Sequence, residues 1–385
     1  MAKSENLRKI IVSAVNLTEA GPLSILKDCL EYLSCDLAGA YEIIALVNDQ
    51  RFFDYEKIKF YSFPWAKKSW FARLYYEYIY FSKFSKKVKP HLWLSLHDIT
   101  PNVETDIQAV YCHNPSPFYS LSLKDVYLGG YKFVLFNLLY RFLYAVNIKK
   151  NDFVIVQQDS LRSKFNRLIG VDNIVVAHPV ITAPIDASLS REDMCTFFYP
   201  AFPRVFKNFE IICKAAEMLI KQGICDFQVI FTISGDENRY ARYIYNSFKH
   251  MGNIKFAGIQ SRDKVFELYN SVSCVIFPSR LETWGVPIIE AKLFKKPIFL
   301  SDLEYARETL GAYDKVKFFD PCNAGQLADM MKTVINKTAV FEKTEEIVIS
   351  EPFARNWKEL FDILLRDNPD VSSKCRAKAR RVNCV

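Results

Sequence analysis

The stretch Cys274–Asp302, CVIFPSRLETWGVPIIEAKLFKKPIFLSD, decides the fold of this chain. Its first four residues, Cys274–Phe277, form a short apolar run that is typical of a buried strand. Gly285 permits a tight turn, and Pro287 suits the first turn of a helix. The run Pro297–Leu300 predicts the next strand, so the stretch indicates a strand, loop, helix and strand of a parallel α/β sheet.

Two carboxylates lie between these predicted strands. Glu282 is on the loop and Glu290 is at the start of the helix, eight positions later. In open α/β sheets, ligands bind outside the carboxyl ends of the strands, which is where this loop lies. An isolated pair of glutamates at this spacing carries little weight, because glutamate is common.

The whole string of residues is more specific. It resembles the signature of retaining glycosyltransferases of family 4 (group 1), which have the GT-B architecture. The signature is a strand ending in Pro-Ser, a glutamate, an aromatic-Gly-x-Pro turn, a second glutamate followed by alanine, and a strand that opens with proline. Here it is Pro278-Ser279, Glu282, Trp284-Gly285-Val286-Pro287, Glu290-Ala291 and Pro297.

The resemblance implies a fold and a chemistry. The fold is α/β, with two doubly wound Rossmann-like domains facing a central cleft and a C-terminal helix crossing back to the first domain. The donor substrate would be a nucleotide-diphosphate sugar, with no separate cofactor. The chain has no Asp-x-Asp motif of the kind that binds a metal in other glycosyltransferases, so lysine, arginine and helix N-termini would neutralise the diphosphate.

The resemblance also implies roles for residues of the second half. Glu290 would accept hydrogen bonds from the ribose hydroxyls, and Glu282 would lie beside the donor sugar as a catalytic residue. Both glutamates also have a purely structural alternative. Glu290, in the first turn of a helix, would complement the helix macrodipole, and Glu282 would be a solvated loop acid. The remaining predicted donor-binding residues are Arg204, Lys207, Asn208, Gly235, Thr283, Trp284, Gly285 and Val286.

Two histidines of the first half compete for a place near the transferred sugar. His113 resembles the catalytic histidine of the family, and His97-Asp98 is the alternative; the sequence leaves the choice open. Both follow predicted strands. Gly21 lies in a predicted loop between the first strand and the first helix, where we expect it at the cleft or, equally, in an ordinary turn. The dinucleotide fingerprint G-x-G-x-x-G is absent there, which argues against a standard Rossmann dehydrogenase.

The order of strands and helices divides the chain. Alternating βα units on both sides of a polar linker predict two doubly wound domains. We expect a first, acceptor-side domain over 1–180, a linker over 181–191, a nucleotide-sugar-binding domain over 192–350, a crossover helix over 351–365 and a basic, disordered tail over 366–385.

Composition narrows the classes of partner. The 385 residues carry a net charge of +8, half of them are apolar, and ten are cysteines without a C-x-x-C pair. No apolar run reaches the length needed to span a bilayer, and no secretory signal is evident, which predicts a cytoplasmic protein with reduced thiols. The positive charge favours anionic partners, of which membrane lipid and nucleic acid are the two candidates.

The positive charge concentrates in the segment Trp65–Pro90, which has seven lysines and arginines, one acid and nine aromatic residues. Phe71, Leu74, Tyr75, Tyr78 and Phe81 follow helical spacing and are expected to face the core. The other aromatics and the lysines then suit an anionic membrane surface, and we expect a peripheral protein at the inner membrane face without nucleic acid. A core helix with a solvated basic face is the alternative, and the apolar run 132–146 is predicted to be buried or to lie flat on lipid.

The leading hypothesis is therefore a metal-independent retaining glycosyltransferase that extends a cell-surface glycan of lipopolysaccharide O-antigen or capsule type, with a lipid-linked glycan as one option for the acceptor. A nucleotide-sugar epimerase of the same fold is the second hypothesis; it would act without an acceptor. A non-catalytic sugar-nucleotide-binding protein is the third hypothesis. Such a protein would lack one glutamate of the pair or the lysine, whereas this chain has the glutamate pair and the lysine intact.

Overall fold

A computed structural model of the chain describes residues 7–18, 20–119, 123–181 and 194–366. The predicted linker, apart from Ile181, and the predicted tail, apart from Arg366, lie outside these ranges.

The described strands are numbered in chain order. They are β1 (Lys9–Ala14), β2 (Glu42–Val47), β3 (Ile58–Ser62), β4 (Leu92–Ser95), β5 (Ile107–Cys112), β6 (Phe153–Val156), β7 (Ile174–Ala177), β8 (Cys195–Tyr199), β9 (Phe227–Phe231), β10 (Ile254–Phe256), β11 (Cys274–Phe277), β12 (Ile298–Ser301), β13 (Tyr313–Phe319), β14 (Glu342–Thr344) and β15 (Phe353–Ala354).

The helices connect these strands. They are α1 (Ala20–Tyr32), α2 (Trp70–Tyr75), α3 (Phe81–Val88), α4 (Leu123–Ala145), α5 (Asp159–Ile169), α6 (Phe209–Lys221), α7 (Arg239–Phe248), α8 (Arg262–Ser271), α9 (Val286–Leu293), α10 (Glu304–Leu310), α11 (Ala324–Ile335) and α12 (Trp357–Leu364). A π-helical turn, Tyr76–Tyr80, joins α2 to α3.

Two compact units divide the described residues. Unit 1 contains the chain up to Asn114, residues 139–180 and the chain from Ile349 onward; unit 2 contains residues 115–138 and 181–348. Residues 115–138 thus belong to unit 2, although their place in the sequence put them in the expected first domain. The return of the last described residues to unit 1 is the crossover expected of this fold.

Unit 1 is built on a parallel sheet whose strand order is β15-β7-β6-β5-β4-β1-β2-β3. From β3 to β6 this is the doubly wound order 3-2-1-4-5-6, in which the direction of winding reverses between β1 and β4. The central strands β4, β5 and β7 are buried throughout, as strands covered on both faces by helices should be.

Unit 2 repeats the same winding. Its described strands have the order β10-β9-β8-β11-β12-β13-β14, parallel except for the antiparallel pair β13–β14. The reversal lies between β8 and β11, which pair in register at Phe197–Cys274 and Phe198–Val275. The predicted fold class of two doubly wound Rossmann-like domains is confirmed.

The end of the chain differs from the expected single helix over 351–365. Phe353 and Ala354 form β15 instead, pairing with Val176 and Ala177 of β7, and the helix begins only at Trp357. Backbone hydrogen bonds to an open sheet edge compete successfully with the helical spacing of the apolar residues there. Leu360, Phe361 and Leu364 of α12 are buried in unit 1, as their spacing predicts.

The helical segment Trp70–Val88 buries a different face from the one that the apolar spacing predicts. Among the five residues expected to face the core, only Phe81 is fully buried, whereas Phe71 is 87% exposed. Arg73 and Glu77 are buried in their place, because they pair around His97 beneath the helix. A partnered buried charge thus overrides the apolar spacing that indicated the other face.

Candidate functional site

The reversal of winding in unit 2 brings two functional loops together. One loop follows β8 and contains the 3-10 turn Val205–Lys207; the other follows β11 and carries Glu282. Because β8 and β11 are adjacent and parallel, both loops leave the sheet at the same carboxyl edge. Sheets of this type bind ligands at this switch point.

Lys207 and Glu282 form an ion pair at this position. Lys207 Nζ lies 2.5 Å from Glu282 Oε1, and the two side chains are only 16% and 11% exposed. Lys207 Nζ also lies 5.5 Å from the centre of the Phe277 ring. Two opposite charges thus lie paired at the carboxyl edge of the sheet, with only a small part of each side chain exposed to solvent.

Arg280 ties the two loops to each other. Its backbone N–H donates to the Phe206 carbonyl at 2.7 Å, and its guanidinium donates to the Val205 carbonyl at 3.0 Å. Ser279, fully buried, donates to the Phe206 carbonyl at 3.4 Å. The sequence pattern assigned no role to Arg280, and its place inside the glutamate motif is the only signal that pointed to it.

Glu290 lies in α9, behind the turn at Gly285. The buried carboxylate accepts a hydrogen bond of 2.9 Å from the Tyr269 hydroxyl and pairs with Arg262, whose side chain is 53% exposed. Burial raises the pKa of Glu290, while Arg262 and Tyr269 act in the opposite direction. If Arg262 moves away, a ligand with two hydroxyl groups can supply the hydrogen-bond donors that the Glu290 carboxylate then lacks.

The turn between the glutamates depends on Gly285. Its φ of 82° is in the left-handed region, and a Cβ at this position would lie 3.0 Å from Ile288 Cδ1. Trp284 is buried, and its carbonyl accepts a hydrogen bond from the Thr309 hydroxyl. Thr283 and Val286 are half-buried, and Val286 begins α9. The predicted contacts of these four residues with the donor stay predictions.

Asn208 and Arg204 flank the 3-10 turn. Asn208 has a φ of 58°, and its side-chain amide donates to the carbonyls of Pro278 and Pro321 at 3.2 and 2.9 Å. It therefore anchors the loop, and a contact with the donor stays a prediction. Arg204 is exposed at the start of the turn.

Gly235 follows β9 and packs against α7. Its φ is 105°, and its backbone N–H donates to the Glu237 carboxylate at 3.0 Å. A Cβ at this position would lie 2.6 Å from Tyr245 Cβ, closer than real side chains approach. Close packing thus accounts for a glycine here, and its predicted role in donor binding stays a prediction.

Gly235→Ala is expected to destabilise unit 2 by about 3 kcal/mol, because overpacking adds to the cost of a left-handed backbone. Chemical unfolding followed by tryptophan fluorescence measures the loss. Gly252→Ala is the matched control, since a methyl group added at Gly252 would meet no atom within 4 Å. Equal stability of the two variants would contradict the packing argument.

His97 occupies the switch point of unit 1. It is 1% exposed, and its Nε2 is 3.1 Å from Ser13 Oγ, while its Nδ1 is 3.2 Å from Arg73 and 3.4 Å from Glu77. Burial lowers the pKa of His97 well below its usual value, with Arg73 adding to the effect. Burial also raises the pKa of Glu77 to about 8, against the influence of Arg73. His97 is thus a buried residue with both nitrogens occupied.

His113 follows β5 in the same unit and differs from His97. Its ring stacks on Tyr111 with the centroids 4.4 Å apart. Its backbone N–H donates to Asp98 Oδ1 at 2.5 Å, so Asp98 fixes the loop. Burial lowers the pKa of His113, against the influence of Asp98, so the imidazole is neutral at pH 7.

Gly21 does not lie in a loop. It is in the first turn of α1, is exposed, and has no atom within 4 Å of where a Cβ would be. The helix starts earlier than expected because a proline such as Pro22 is tolerated in a first turn, where backbone N–H groups have no helical partner. The expectation of a loop glycine is corrected accordingly.

Neither a metal-binding cluster nor a membrane-spanning helix is found within the described ranges. No group of three or more histidine, cysteine, aspartate or glutamate side chains there is arranged to hold a metal ion. No helix in those ranges combines the length and the apolar character needed to cross a bilayer.

Residues 186–351 match the model of the family described as "Glycosyl transferases group 1". Solved structures resemble most of the chain, including both units. WaaG, a glycosyltransferase involved in lipopolysaccharide biosynthesis, has a TM-score of 0.61 at 12% identity, over 85% of this chain and 90% of its own. A glycosyltransferase from Rickettsia africae has a TM-score of 0.61 at 16% identity, over 87% and 90%. Anabaena HepE in complex with UDP-glucose has a TM-score of 0.57 at 12% identity, over 86% and 90%.

No curated protein sequence matches the chain. The fold is of the GT-B type, as the similar solved structures show. The match to the group 1 glycosyltransferase model covers residues 186–351 of the chain, which include the Lys207–Glu282 pair and Glu290.

Proposed function

We propose that the chain is a retaining, metal-independent glycosyltransferase that moves a sugar from a nucleotide-diphosphate sugar to a growing cell-surface glycan of lipopolysaccharide O-antigen or capsule type. The acceptor is carried on a lipid at the inner face of the cytoplasmic membrane. The observation that carries the proposal is the Lys207–Glu282 pair of 2.5 Å at the switch point of the family domain.

The pair suits the departure of a nucleoside diphosphate. The bond between the sugar C1 and the phosphate oxygen breaks, and the diphosphate leaves with the electron pair. C1 bonds to the oxygen of an acceptor hydroxyl, whose proton passes to the departing phosphate oxygen. Lys207 stabilises the charge that grows on the diphosphate, a task that preorganised cations perform with large effect in sites of low water content. Glu282 holds Lys207 in place and faces the sugar.

Glu290 supports the nucleotide half of the donor. Its carboxylate already receives two donors, Tyr269 and Arg262. A ribose offers two hydroxyl donors and can replace the half-exposed Arg262. In unit 1, His113 is the better candidate for the sugar, because both nitrogens of His97 are occupied.

The similar structures support the class of substrate. HepE was solved with UDP-glucose, and also with UDP and glucose. WaaG is described as acting in lipopolysaccharide biosynthesis. At 12% identity these structures support the proposed donor and glycan only through the shared fold.

A thermal-shift panel tests the proposal. A ligand that binds only the native state raises the melting temperature by mass action. We expect one of UDP, GDP, dTDP and CDP to stabilise the protein more than the others, and the matching nucleotide sugar to donate its sugar to a lipid-linked glycan extract. Conversion of the nucleotide sugar without any acceptor would favour the epimerase, and no stabilisation by any nucleotide would contradict the proposal.

Transfer is expected to continue in excess EDTA, because Lys207 rather than a metal ion neutralises the diphosphate. The measurement is the initial rate of nucleotide release with and without chelator after gel filtration. Complete loss of activity that added Mg²⁺ or Mn²⁺ restores would contradict this prediction.

Two apolar stripes support a place on the membrane surface. The helical segment Trp70–Val88 exposes Phe71, Tyr75 and Ile79, four positions apart and therefore on one face. Helix α4 exposes Leu135, Leu138, Leu139 and Phe142, which also share a face. Exposed apolar stripes of this kind, beside lysines, suit the headgroup region of an anionic bilayer.

Exposed lysines lie next to the first stripe. Lys68 Nζ is 3.6 Å from the centre of the exposed Trp65 ring, and Lys86 pairs with Glu104 at 3.2 Å. Each basic residue near an anionic surface contributes about 1 kcal/mol. A peripheral enzyme could thus reach a lipid-linked acceptor without a spanning helix.

The five-fold variant with glutamine at Lys67, Lys68, Lys83, Lys86 and Lys87 is expected to lose binding to vesicles rich in anionic lipid while its melting temperature stays unchanged. The expectation rests on roughly 1 kcal/mol per lost charge. Flotation at low salt measures the binding, which should weaken as salt is added. The matched control carries glutamine at the exposed lysines Lys221, Lys249, Lys255, Lys337 and Lys343 of unit 2. Wild-type protein that ignores these vesicles at low salt would contradict membrane association.

A further inference from the structure

The segment 115–138 belongs to unit 2, although the chain on both sides of it belongs to unit 1. It begins two residues after His113. Leu128 is buried in the unit 2 core, and the Tyr127 ring lies 5.1 Å from the Arg239 guanidinium. Part of the first half of the sequence thus packs on the unit that carries the family domain.

Asp125 is a charged residue of this segment that contacts the loops after β8 and β11 through Arg280. It is 1% exposed, and its Oδ1 lies 3.1 Å from the Arg280 guanidinium. Its Oδ2 accepts a hydrogen bond of 3.0 Å from the Tyr119 hydroxyl. The Tyr119 ring in turn contacts the Phe206 ring, with the centroids 5.9 Å apart.

Arg280 is the residue through which Asp125 acts. The nitrogen that binds Asp125 also donates to the Val205 carbonyl at 3.0 Å, and the Arg280 backbone N–H donates to Phe206. Val205 and Phe206 lie immediately before Lys207, and Arg280 lies two residues before Glu282. The buried carboxylate thus fixes the orientation of the guanidinium that joins the two loops.

We propose that Asp125 is a positioning residue for the transfer reaction: through Arg280 it fixes the loops that hold Lys207 and Glu282 in register. This proposal rests on the proposed function, and it adds that the segment 115–138 completes the donor site of unit 2. Asp125 does not touch the donor, so it affects the geometry of the diphosphate site more than the binding of the nucleotide, for which Glu290 is responsible.

The first test needs no substrate. In Asp125→Asn, amide hydrogen exchange should become faster in peptides that contain residues 204–208 and 279–282, while the rest of unit 2 keeps wild-type rates. Loss of the ion pair frees Arg280, whose backbone N–H bond to Phe206 reports directly on the junction. Unchanged exchange in both peptides, or faster exchange throughout unit 2, would overturn the proposal.

The second test is kinetic. Nucleotide release is measured with UDP-glucose, GDP-mannose, dTDP-glucose and CDP-glucose, and UDP, GDP, dTDP and CDP affinities are measured in parallel. With the sugar that wild type uses, Asp125→Asn should lower kcat about tenfold, as expected for one lost charge-assisted hydrogen bond, and change nucleotide affinity by less than about threefold. Equal losses in kcat and affinity would indicate a merely structural role and overturn the proposal.

Two further variants keep the result decisive. Glu217→Gln removes a carboxylate from the Glu217–Lys221 ion pair on α6 and should behave as wild type. If Asp125→Asn does not fold, Tyr119→Phe removes only the hydroxyl that holds Asp125, and unchanged kcat and loop exchange in that variant overturn the proposal. A wild type that binds no nucleotide and uses no sugar contradicts the proposed function instead, and the exchange result separates the two failures.

Discussion

Lys207→Ala is expected to lower kcat by a factor of about 10² to 10³, the usual consequence of removing one preorganised group that stabilises developing charge. The ion pair with Glu282, at 2.5 Å and largely shielded from water, holds the cation at the switch point of unit 2, where we propose that the diphosphate leaves. Initial rates with the best nucleotide sugar measure the effect, and nucleotide affinity should fall less than kcat.

The control for this variant is Lys221→Ala. Lys221 lies on α6, is 70% exposed and also pairs with a glutamate, so its removal changes the net charge without touching the loops. Lys207→Arg should recover part of the rate, because it restores the charge but not the single-point geometry of the ammonium. Wild-type kcat in Lys207→Ala would remove Lys207 from the reaction.

Glu290→Ala is expected to weaken nucleotide binding about 100-fold, since two hydrogen bonds from ribose to a buried carboxylate are lost. Calorimetric titration with the best nucleotide measures the affinity. We expect the variant to fold. Burial disfavours the charged form of Glu290 in the free protein, so its removal costs little, and Arg262 is half exposed, so water can solvate its guanidinium once the carboxylate is gone. Wild-type affinity in the variant would exclude Glu290 from the nucleotide site.

Glu282→Ala is the matched variant, since it removes the other glutamate of the motif. It should lower turnover more than affinity, because its expected partner is the sugar rather than the nucleotide. The opposite pattern in the two variants would exchange the roles assigned to the glutamates.

Much of the fold could be predicted from local pattern. β11 has the bounds that its apolar run predicts, and α9 and β12 follow where the two prolines predict a helix and a strand. These elements are buried on the faces that the sequence marks as apolar, so local preference and tertiary packing agree. The weak short strands β3 and β14 escaped prediction, because edge strands carry mixed polar and apolar residues.

The candidate site was predicted as a set of positions, whereas its contacts were not. The motif contains Glu282 and Glu290, and the family resemblance added Lys207, but the residues that contact them, Arg280 and Arg262, were not singled out. A motif records which residues lie near each other along the chain, while Lys207 and Glu282 are 75 positions apart and meet only through adjacent parallel strands.

By itself, the sequence determined the class of fold, the strand–loop–helix–strand unit around the glutamate motif and the motif itself, because each follows from short-range periodicity and turn chemistry. Only the tertiary structure decided which face of the helix Trp70–Val88 is buried and which unit receives residues 115–138. Both depend on a buried charged group whose partner is distant in sequence, Arg73 with His97 and Asp125 with Arg280. A buried charge must find its partner wherever the chain brings one, and apolar spacing alone does not encode that partner.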